Sequence, residues 1–297
     1  METAIKSWRS AWLSSGKSKA SMENMERELR RFSDWLEKSD RNDLQTASRD
    51  DCQDFLTSRR AVSASTSHMA WRALRSYFGF LAEEDGAANP MKNVKMPKVA
   101  EPVTRVATED EYKALQGYLA SEVAKAKGKE IDLFEVRRAQ AVLGVLWDCG
   151  LRRSELANLK LNDVVMDTGN VIVRQSKTGR PRVVPFTDAT KKMVFGYLRQ
   201  REWHPQSAFS DKLWLGIKGG LTSDGVRQLL DRVCDGAGVR VSAHMFRRAL
   251  AERWLSNGGS QVSLMSIAGW TSPAMPARYT RSVAGQVAES EYRRIFS

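Results

Sequence analysis

Residues 150–156 read Gly-Leu-Arg-Arg-Ser-Glu-Leu and follow a long apolar stretch that runs from about Phe134 to Cys149. The apolar stretch predicts a buried helix, and Gly150 is where that helix should end. Arg152 then lies directly after the helix C-terminus, with Glu155 three residues further on. This spacing suits a carboxylate that orients the guanidinium through a bidentate pair. Taken alone, the seven residues fit an ordinary helix cap with surface charges equally well.

Outward from this stretch, the sequence predicts an α+β domain with a small β-sheet. Thr108 and Glu111 form a capping box that opens a helix. Two β-branched runs, 171–174 and 182–185, flank the turn Ser-Lys-Thr-Gly-Arg, so we expect a β-hairpin with Lys177 at its turn. Further helices are expected at about Asp188–Arg201, Ser223–Asp235, Ala243–Ser256 and Gln261–Ala268, followed by a last pair around Tyr279 and Tyr292.

The first 88 residues predict a small bundle of four helices. One helix, from about Ala20 to Lys38, carries an apolar stripe with spacings of three and four. Ser48 and Asp51 form a capping pair that opens another. The fold expected for the whole chain is therefore mainly α: a helical bundle followed by the α+β domain. The stripe residues of the first of these helices are Met22, Met25, Leu29, Phe32 and Leu36.

A basic segment separates the two parts. Residues 89–98 read Asn-Pro-Met-Lys-Asn-Val-Lys-Met-Pro-Lys, with two prolines, three lysines and no acid, which is typical of an extended interdomain linker. Residues 1–103 carry 17 Lys+Arg against 15 Asp+Glu, whereas residues 104–297 carry 30 against 20. We therefore expect a helical domain at 1–88, a linker at 89–103 and a more basic domain at 104–297.

Composition narrows the class of protein. The net charge of +12 favours a polyanionic partner. No run approaches the roughly 20 apolar residues that span a bilayer, and the first ten residues lack the apolar stretch of a signal peptide. Three scattered cysteines without a CxxC pattern favour a reducing compartment, and with only three histidines a His-rich metal site is close to excluded.

Four more residues carry chemistry. His244 and Arg247 stand three apart in the first turn of a predicted helix, so they share a face where free backbone N–H groups attract an anion. Lys177 can reach outward from its turn and protonate a departing oxygen. Tyr279 offers a nucleophilic oxygen. Each residue alone has an ordinary interpretation, but the combination suits a phosphate whose charge grows in the transition state.

Together these motifs make the chain resemble the tyrosine recombinases, the group of phage integrases and chromosome-dimer resolvases. The resemblance covers nearly the whole chain, and five motifs in this order are not expected by chance. Many relatives carry histidine at the position of Trp270. An indole N–H only donates, so Trp270 can hold a phosphate oxygen or Tyr279 but cannot shuttle a proton. The motifs are Gly-Leu-Arg-Arg-Ser-Glu-Leu, Lys177, His244-x-x-Arg247, Gly269-Trp270, and Tyr279 within Ala-Arg-Tyr-Thr-Arg.

The resemblance implies a reaction. Tyr279 would attack a DNA phosphodiester, giving a 3′-phosphotyrosine and a free 5′-hydroxyl. Arg152 and Arg247 would grip the non-bridging oxygens, His244 would act as a base or hydrogen-bond partner, and Lys177 would protonate the leaving oxygen. Because the phosphotyrosine stores the bond energy, neither a metal nor a cofactor is expected. Two rounds would exchange strands through a Holliday junction.

The resemblance also implies partners. These are double-stranded DNA with core-type recombination sites, a homotetramer on synapsed DNA and possible accessory DNA-bending proteins. With DNA as the partner, the expected location is the cytoplasm of a bacterial or phage-infected cell, in association with the nucleoid. Candidate phosphate contacts, for each of which a solvated face is the default, are Arg59, Arg60, Arg72, Arg75, Lys92, Lys95 and Lys98.

The chain ends are also part of the expectation. No arm-type DNA-binding domain is expected ahead of the helical bundle. The final helix, Gln286 to Phe296, should dock on a neighbouring protomer, as in relatives that pass their C-terminal segment between subunits. The alternative is that its apolar residues pack on their own domain; they are Val287, Tyr292, Ile295 and Phe296.

Three other functions stay open. A type IB topoisomerase-like enzyme would use the same residues on one duplex, although the short layout with a compact helical domain argues against it. A telomere-resolving strand transferase is a remoter variant. A catalytically silent DNA-binding regulator is disfavoured, since every motif residue is present. The sequence does not distinguish integration from excision or resolution, nor does it specify the target DNA.

Overall fold

The computed structural model describes residues 2–41, 43–99, 105–126, 128–174 and 181–296, without some side chains of the last helix. The chain divides into two compact units, Met1–Val103 and Thr104–Ser297. Both units are mostly helical and the second contains small sheets, which confirms the predicted fold class.

The N-terminal unit is a bundle whose helices bury the predicted stripe. All five stripe residues of its second helix lie in the hydrophobic core. Ser48 and Asp51 form the predicted capping box, in which each side chain accepts the other residue's backbone N–H. The helices are α1 (Glu2–Ser14), α2 (Lys19–Lys38), α3 (Arg49–Val62) and α4 (Ala64–Asp85).

The first half of the predicted linker is not an extended tether. Met91 and Val94 are buried in the core of the N-terminal unit. The Trp71 Nε1 group donates to the Val94 carbonyl at 2.9 Å, and Arg75 Nη1 donates to the Met91 carbonyl at 2.9 Å. The basic composition concealed two apolar side chains three residues apart, which a turn brings onto one face. Residues 89–94 therefore belong to the packed bundle.

The C-terminal unit is built around α6, whose buried residues run from Phe134 to Cys149. A three-stranded antiparallel sheet has the order β1-β2-β3, with Val171 opposite Val184. The strands are β1 (Val164–Val165), β2 (Asn170–Val173), β3 (Arg182–Pro185), β4 (Leu215–Gly216) and β5 (Gly219–Gly220). The helices are α5 (Glu109–Lys125), α6 (Glu130–Cys149), α7 (Arg153–Asn158), α8 (Asp188–Arg201), α9 (Ser223–Ala237), α10 (Ala243–Ser256), α11 (Gln261–Ala268) and α12 (Ala274–Phe296).

Gly150 ends α6 and lets α10 approach. Its φ is 54°, in the left-handed region that favours glycine. A Cβ at this position would lie 2.7 Å from Leu250 Cδ2 and 3.3 Å from the Cα of Arg247. The absence of a side chain therefore brings the helix that carries Arg247 directly against the start of the 150–156 motif.

The last pair of helices predicted from the sequence is instead one helix, α12. Pro276 lies in its first turn, where a missing N–H is tolerated. The only later breaker is Gly285, and one glycine inside a helix costs about 1 kcal/mol relative to alanine, which a long helix can absorb. Tyr279 and Tyr292 consequently lie on the same element.

Candidate active site

Three arginines converge on the C-terminus of α11: Arg152 from the N-cap of α7, Arg182 from β3 and Arg247 from α10. The carbonyl groups of residues 267–269 are the acceptors. Arg182 Nε donates to the first at 2.8 Å, Arg247 Nη2 donates to the second, and Arg152 Nη2 donates to the third at 3.4 Å. A helix C-terminus leaves such carbonyls unpaired and carries partial negative charge, so cations are stabilised there. We call Arg152, Arg182 and Arg247 the arginine cluster.

Glu155 lies behind the cluster and is shared between two of its members. Arg152 donates to it twice, from Nη1 at 2.6 Å and from the backbone N–H at 3.0 Å. Arg182 donates from both Nη groups, at 3.2 and 2.7 Å. The expectation of a bidentate pair with the Arg152 guanidinium was wrong, because Arg182 occupies that geometry. Burial acts to raise the pKa of the Glu155 carboxyl, but the bonds from Arg182 and Arg152 outweigh it, and the pKa lies below its ordinary value.

Arg247 is the most buried of the motif cations that the structure describes. Besides its bond to α11, its Nη1 donates to the Gly150 carbonyl at 2.9 Å. Burial, reinforced by the charge of Arg152, lowers the pKa of Arg247 to about 10. The guanidinium therefore stays protonated at neutral pH. Its Cζ lies 5.1 Å from the centre of the Trp270 ring, a distance typical of a cation–π contact.

Tyr279 stacks on Trp270 within its own chain. The ring centroids are 5.5 Å apart and the planes differ by 7°. Both residues are 7% exposed and belong to a small core cluster with Leu255 and Leu264. The stacking therefore fixes the tyrosine ring against Trp270, the residue whose ring also contacts Arg247.

His244 lies at the exposed N-terminal turn of α10, where the Ser242 hydroxyl accepts the Met245 N–H. Partial burial lowers the pKa of His244, and the cations Arg248, Arg247 and Arg152 lower it further, in that order. The imidazole is consequently neutral at pH 7. It borders an open cleft of about 390 Å³ that is also lined by Arg152, Arg153, Arg227 and Arg247.

Lys177 lies outside the described residues, which stop at 174 and resume at 181. The strands on either side are the ones predicted, and their last described pair is Val173 opposite Arg182. Because Arg182 belongs to the arginine cluster, the described base of this hairpin adjoins the site.

The candidate phosphate contacts of the N-terminal unit divide into two groups. Arg59 contacts the buried Glu28 at 3.4 Å, and Arg75 bonds to the Met91 carbonyl and lies 5.5 Å from the Trp71 ring centre. These two arginines are engaged in holding the bundle together. Arg75 is nevertheless exposed, and so are the other candidates: Arg60, Arg72, Lys92, Lys95 and Lys98.

Arg182 is the site residue that sequence reasoning missed. A signal was present, because strand alternation places Arg182 on the same face as Val184, which is fully buried. A buried arginine requires a carboxylate or several carbonyl partners. Only the packing of β3 against α7 and α11 shows that these partners are Glu155 and residue 267.

The described part of the chain offers neither a metal-binding cluster nor a membrane-spanning helix. Within it, no group of three or more His, Cys, Asp or Glu side chains has a metal-binding arrangement. Across the same residues, no helix combines the length and apolar character that a membrane crossing requires.

Two family models match the chain. The phage integrase family model matches residues 106–285, and the model of the phage integrase N-terminal SAM-like domain matches residues 5–85. Tyrosine recombinase XerD of Caulobacter vibrioides is 30% identical over 235 residues, which cover 76% of this chain and 73% of the relative. The chain therefore belongs to the phage integrase family, the tyrosine recombinases.

Solved structures share the fold. The Tn1549 transposon integrase, in complex with transposon right end DNA, gives a TM-score of 0.74 at 15% identity and covers 99% of each chain. A lambda integrase tetramer bound to a Holliday junction gives a TM-score of 0.64 at 16% identity, covering 92% of this chain and 77% of that chain. The family predicted from the motifs is confirmed.

Proposed function

We propose that this protein is a site-specific recombinase that breaks and rejoins DNA strands through a covalent bond between Tyr279 and a 3′-phosphate. The observation that carries the proposal is that Tyr279 stacks on Trp270, whose ring also contacts the motif arginine Arg247, within one chain. The curated relative, a tyrosine recombinase, supports strand exchange over the topoisomerase-like, telomere-resolving and silent-regulator alternatives.

Arg152 and Arg247 would bind the non-bridging oxygens of the scissile phosphate. A guanidinium has five N–H donors. Within the described structure, Arg247 uses two of them, on the carbonyls of Gly150 and residue 268. The other donors are oriented by these bonds and can meet the charge that grows on the phosphoryl oxygens. Such fixed donors stabilise the transition state more than the ground state.

The proton transfers follow from the bonds that change. The Tyr279 oxygen forms a bond to phosphorus while the bond from phosphorus to the 5′-oxygen breaks. His244, neutral at pH 7, would accept the phenolic proton. Lys177 would give a proton to the leaving 5′-oxygen. Trp270 cannot take part in either transfer, and its stacking on Tyr279 supports a role in orientation.

The partners would be double-stranded DNA with core-type sites and three further copies of this chain. The Holliday-junction tetramer of lambda integrase supports this assembly. Exposed basic residues of the N-terminal unit, such as Arg60 and Lys95, are proposed to contact phosphates. The unit at 104–297 would carry the chemistry. The helical domain, with residues 89–94 packed on it, and the rest of the segment that ends at 103 would complete the grip on DNA. Accessory DNA-bending proteins are compatible with this assembly. The protein would act on DNA in the cytoplasm of a bacterial or phage-infected cell.

A nicked suicide substrate tests the function. When the short 5′-hydroxyl fragment diffuses away after cleavage, the protein should stay covalently attached to the 3′-end. Candidate sites are the attachment sequences that flank the gene. Two intact sites should then give a four-way junction. An adduct without any junction would favour the single-duplex enzyme, and binding without adduct would favour the silent regulator.

His244 makes the cleavage rate pH-dependent. Because the neutral imidazole is the active form and its pKa is lowered, the rate should fall only when the pH drops below the ordinary histidine value of 6.5. Single-turnover cleavage between pH 5 and 8 checks this. His244→Gln should cleave about a hundredfold more slowly and lose this acidic limb. An unchanged limb in that variant would assign the titration to another group.

Assembly should depend on the distal end of α12. The ring centres of Tyr292 and Phe296 lie 4.8 Å apart, and the two residues are 66% and 71% exposed. An exposed apolar pair of this kind suits a surface that a partner covers. The side chain of Val287 lies outside the described residues. Deleting residues 286–297 should leave single-site binding intact and abolish two-site synapsis, measured by gel mobility.

The control for the deletion is Arg293→Ala, which breaks an exposed ion pair with Glu289 on the same helix. That variant should synapse normally. A deleted protein that recombines two sites at the normal rate would show that the helix end packs on its own domain or is dispensable.

A further inference from the structure

Arg182 links the two halves of the site, although it lies outside the motifs. Its side chain is 7% exposed and its planar end meets both oxygens of Glu155. Its Nε donates to the carbonyl of residue 267 at 2.8 Å. A Cβ built on Gly269 would lie 2.9 Å from Arg182 Nη1, so the turn before Trp270 rests on the guanidinium.

We infer that Arg182 is a positioning residue of this site. It pairs with the Glu155 carboxylate and holds the turn at 267–269, so that Arg152 and Arg247 face the phosphate. The inference rests on the proposed function and deepens it. It assigns Arg182 no contact with DNA. Its effect is exerted through Glu155 on Arg152, and through the α11 C-terminus on Arg247 and Trp270.

The first part of the argument concerns charge. Glu155 is 4% exposed and cannot turn to water for compensation. With Arg182 present, each of its oxygens accepts from Arg182, and Arg152 contributes a single guanidinium bond. Without Arg182, the carboxylate would draw the Arg152 guanidinium into a bidentate pair, because a buried charge left with one partner is strongly destabilised. The N–H donors of Arg152 that would bind the phosphate would then be bonded to Glu155. The negative charge of Glu155, close to the phosphate, would also be less compensated.

The second part concerns geometry. The arginine cluster binds the three successive carbonyls of 267–269, and Arg182 holds the first of them. Trp270 follows immediately and stacks on Tyr279. Movement of this turn therefore changes the acceptor of Arg247 and the support of the nucleophile together. A shift of about 1 Å is enough to slow an enzyme about a hundredfold.

Only arginine fits these contacts. The planar fork offers three directed donors here, two to a carboxylate and one to a carbonyl on its edge, and a flat surface for Gly269. A lysine ammonium is a point charge on a flexible stem and cannot reproduce that set. Arg182→Lys keeps the charge beside Glu155 and is expected to fold, which makes it a second test.

The experiment measures single-turnover cleavage of the nicked suicide substrate by the full chain, at saturating protein and at sub-saturating concentrations. Arg182→Met should cleave about a hundredfold more slowly and Arg182→Lys about tenfold more slowly. DNA affinity should change by less than about threefold, because no phosphate contact is removed. Equal cleavage by the wild type and Arg182→Lys would overturn the inference.

A combined substitution separates positioning from a purely structural role. Glu155→Gln removes the charge that Arg182 compensates, so the Arg182→Met/Glu155→Gln protein should cleave about tenfold faster than Arg182→Met alone. Losses that multiply would show that Arg182 does not act through Glu155 and would overturn the inference.

Arg201→Met is the matched control, because Arg201 is also buried in this unit and donates to the carbonyls of residues 210, 212 and 213. It should lower the melting temperature while the folded fraction cleaves at the wild-type rate. A wild-type protein that forms no adduct would instead refute the proposed function. If the wild type and the Arg182 variants all cleave at the same rate, this inference is refuted while the proposed function stands.

Discussion

Tyr279→Phe should abolish covalent capture of DNA while site binding stays within about twofold of the wild type. The substitution removes only the nucleophilic oxygen. The phenyl ring can keep the stacked contact with Trp270, whose centre lies 5.5 Å away, so the surrounding cluster should remain packed. Denaturing electrophoresis after incubation with the suicide substrate measures the adduct, and a mobility shift measures binding.

Tyr292→Phe is the control for this experiment. Tyr292 lies on the same helix, α12, but 13 residues further along it than Tyr279, and it is 66% exposed. Its variant should form the adduct at the normal rate. If the Tyr279 variant still captures DNA and the Tyr292 variant does not, the nucleophile has been assigned to the wrong tyrosine.

Arg247→Ala should slow cleavage by more than about a hundredfold, the scale expected for one strong oxyanion-type contact. Two losses add in this variant. The phosphate loses directed donors, and the carbonyls of Gly150 and residue 268 lose their partner in a buried place. Arg152→Ala should also lose about a hundredfold, since it too would hold a non-bridging oxygen. Binding should weaken much less than cleavage in both.

Arg253→Ala distinguishes chemistry from stability. Arg253 lies on the same helix, 3.8 Å from the centre of the Trp147 ring, and donates to the Trp147 carbonyl at 2.5 Å. Its loss should lower the melting temperature without changing the cleavage rate of the folded protein. Near wild-type cleavage by both Arg247→Ala and Arg152→Ala would mean that the phosphate is held elsewhere.

Local patterns predicted much of this structure. The capping boxes at Ser48 and Thr108 are present, and α8, α10 and α11 have the predicted bounds. These features depend on residues within one turn of each other, which is why sequence alone finds them. The buried stripe of α2 follows equally from the spacing of its apolar residues.

What the sequence did not predict depends on contacts between distant segments. The burial of Met91 and Val94 requires a partner surface on the bundle, which the composition of a basic, proline-containing segment does not disclose. The role of Arg182 requires Glu155, 27 residues away, and a helix end 85 residues away. The continuity of α12 depended on whether Gly285 breaks a helix, and a lone glycine is too weak a signal to decide this.

The bonds between the arginine cluster and residues 267–269 have a consequence for the thermodynamics of catalysis. An arginine side chain loses roughly 2 kcal/mol of rotamer entropy when it is immobilised. Here that ordering accompanies folding, before any DNA binds, so the arginine cluster is preorganised. The fraction of molecules with an ordered cluster then depends on the local stability of the short turn at 267–269. Warming or a remote destabilising substitution that loosens this turn should reduce catalytic competence well before the unit unfolds, because local opening requires less free energy than global unfolding.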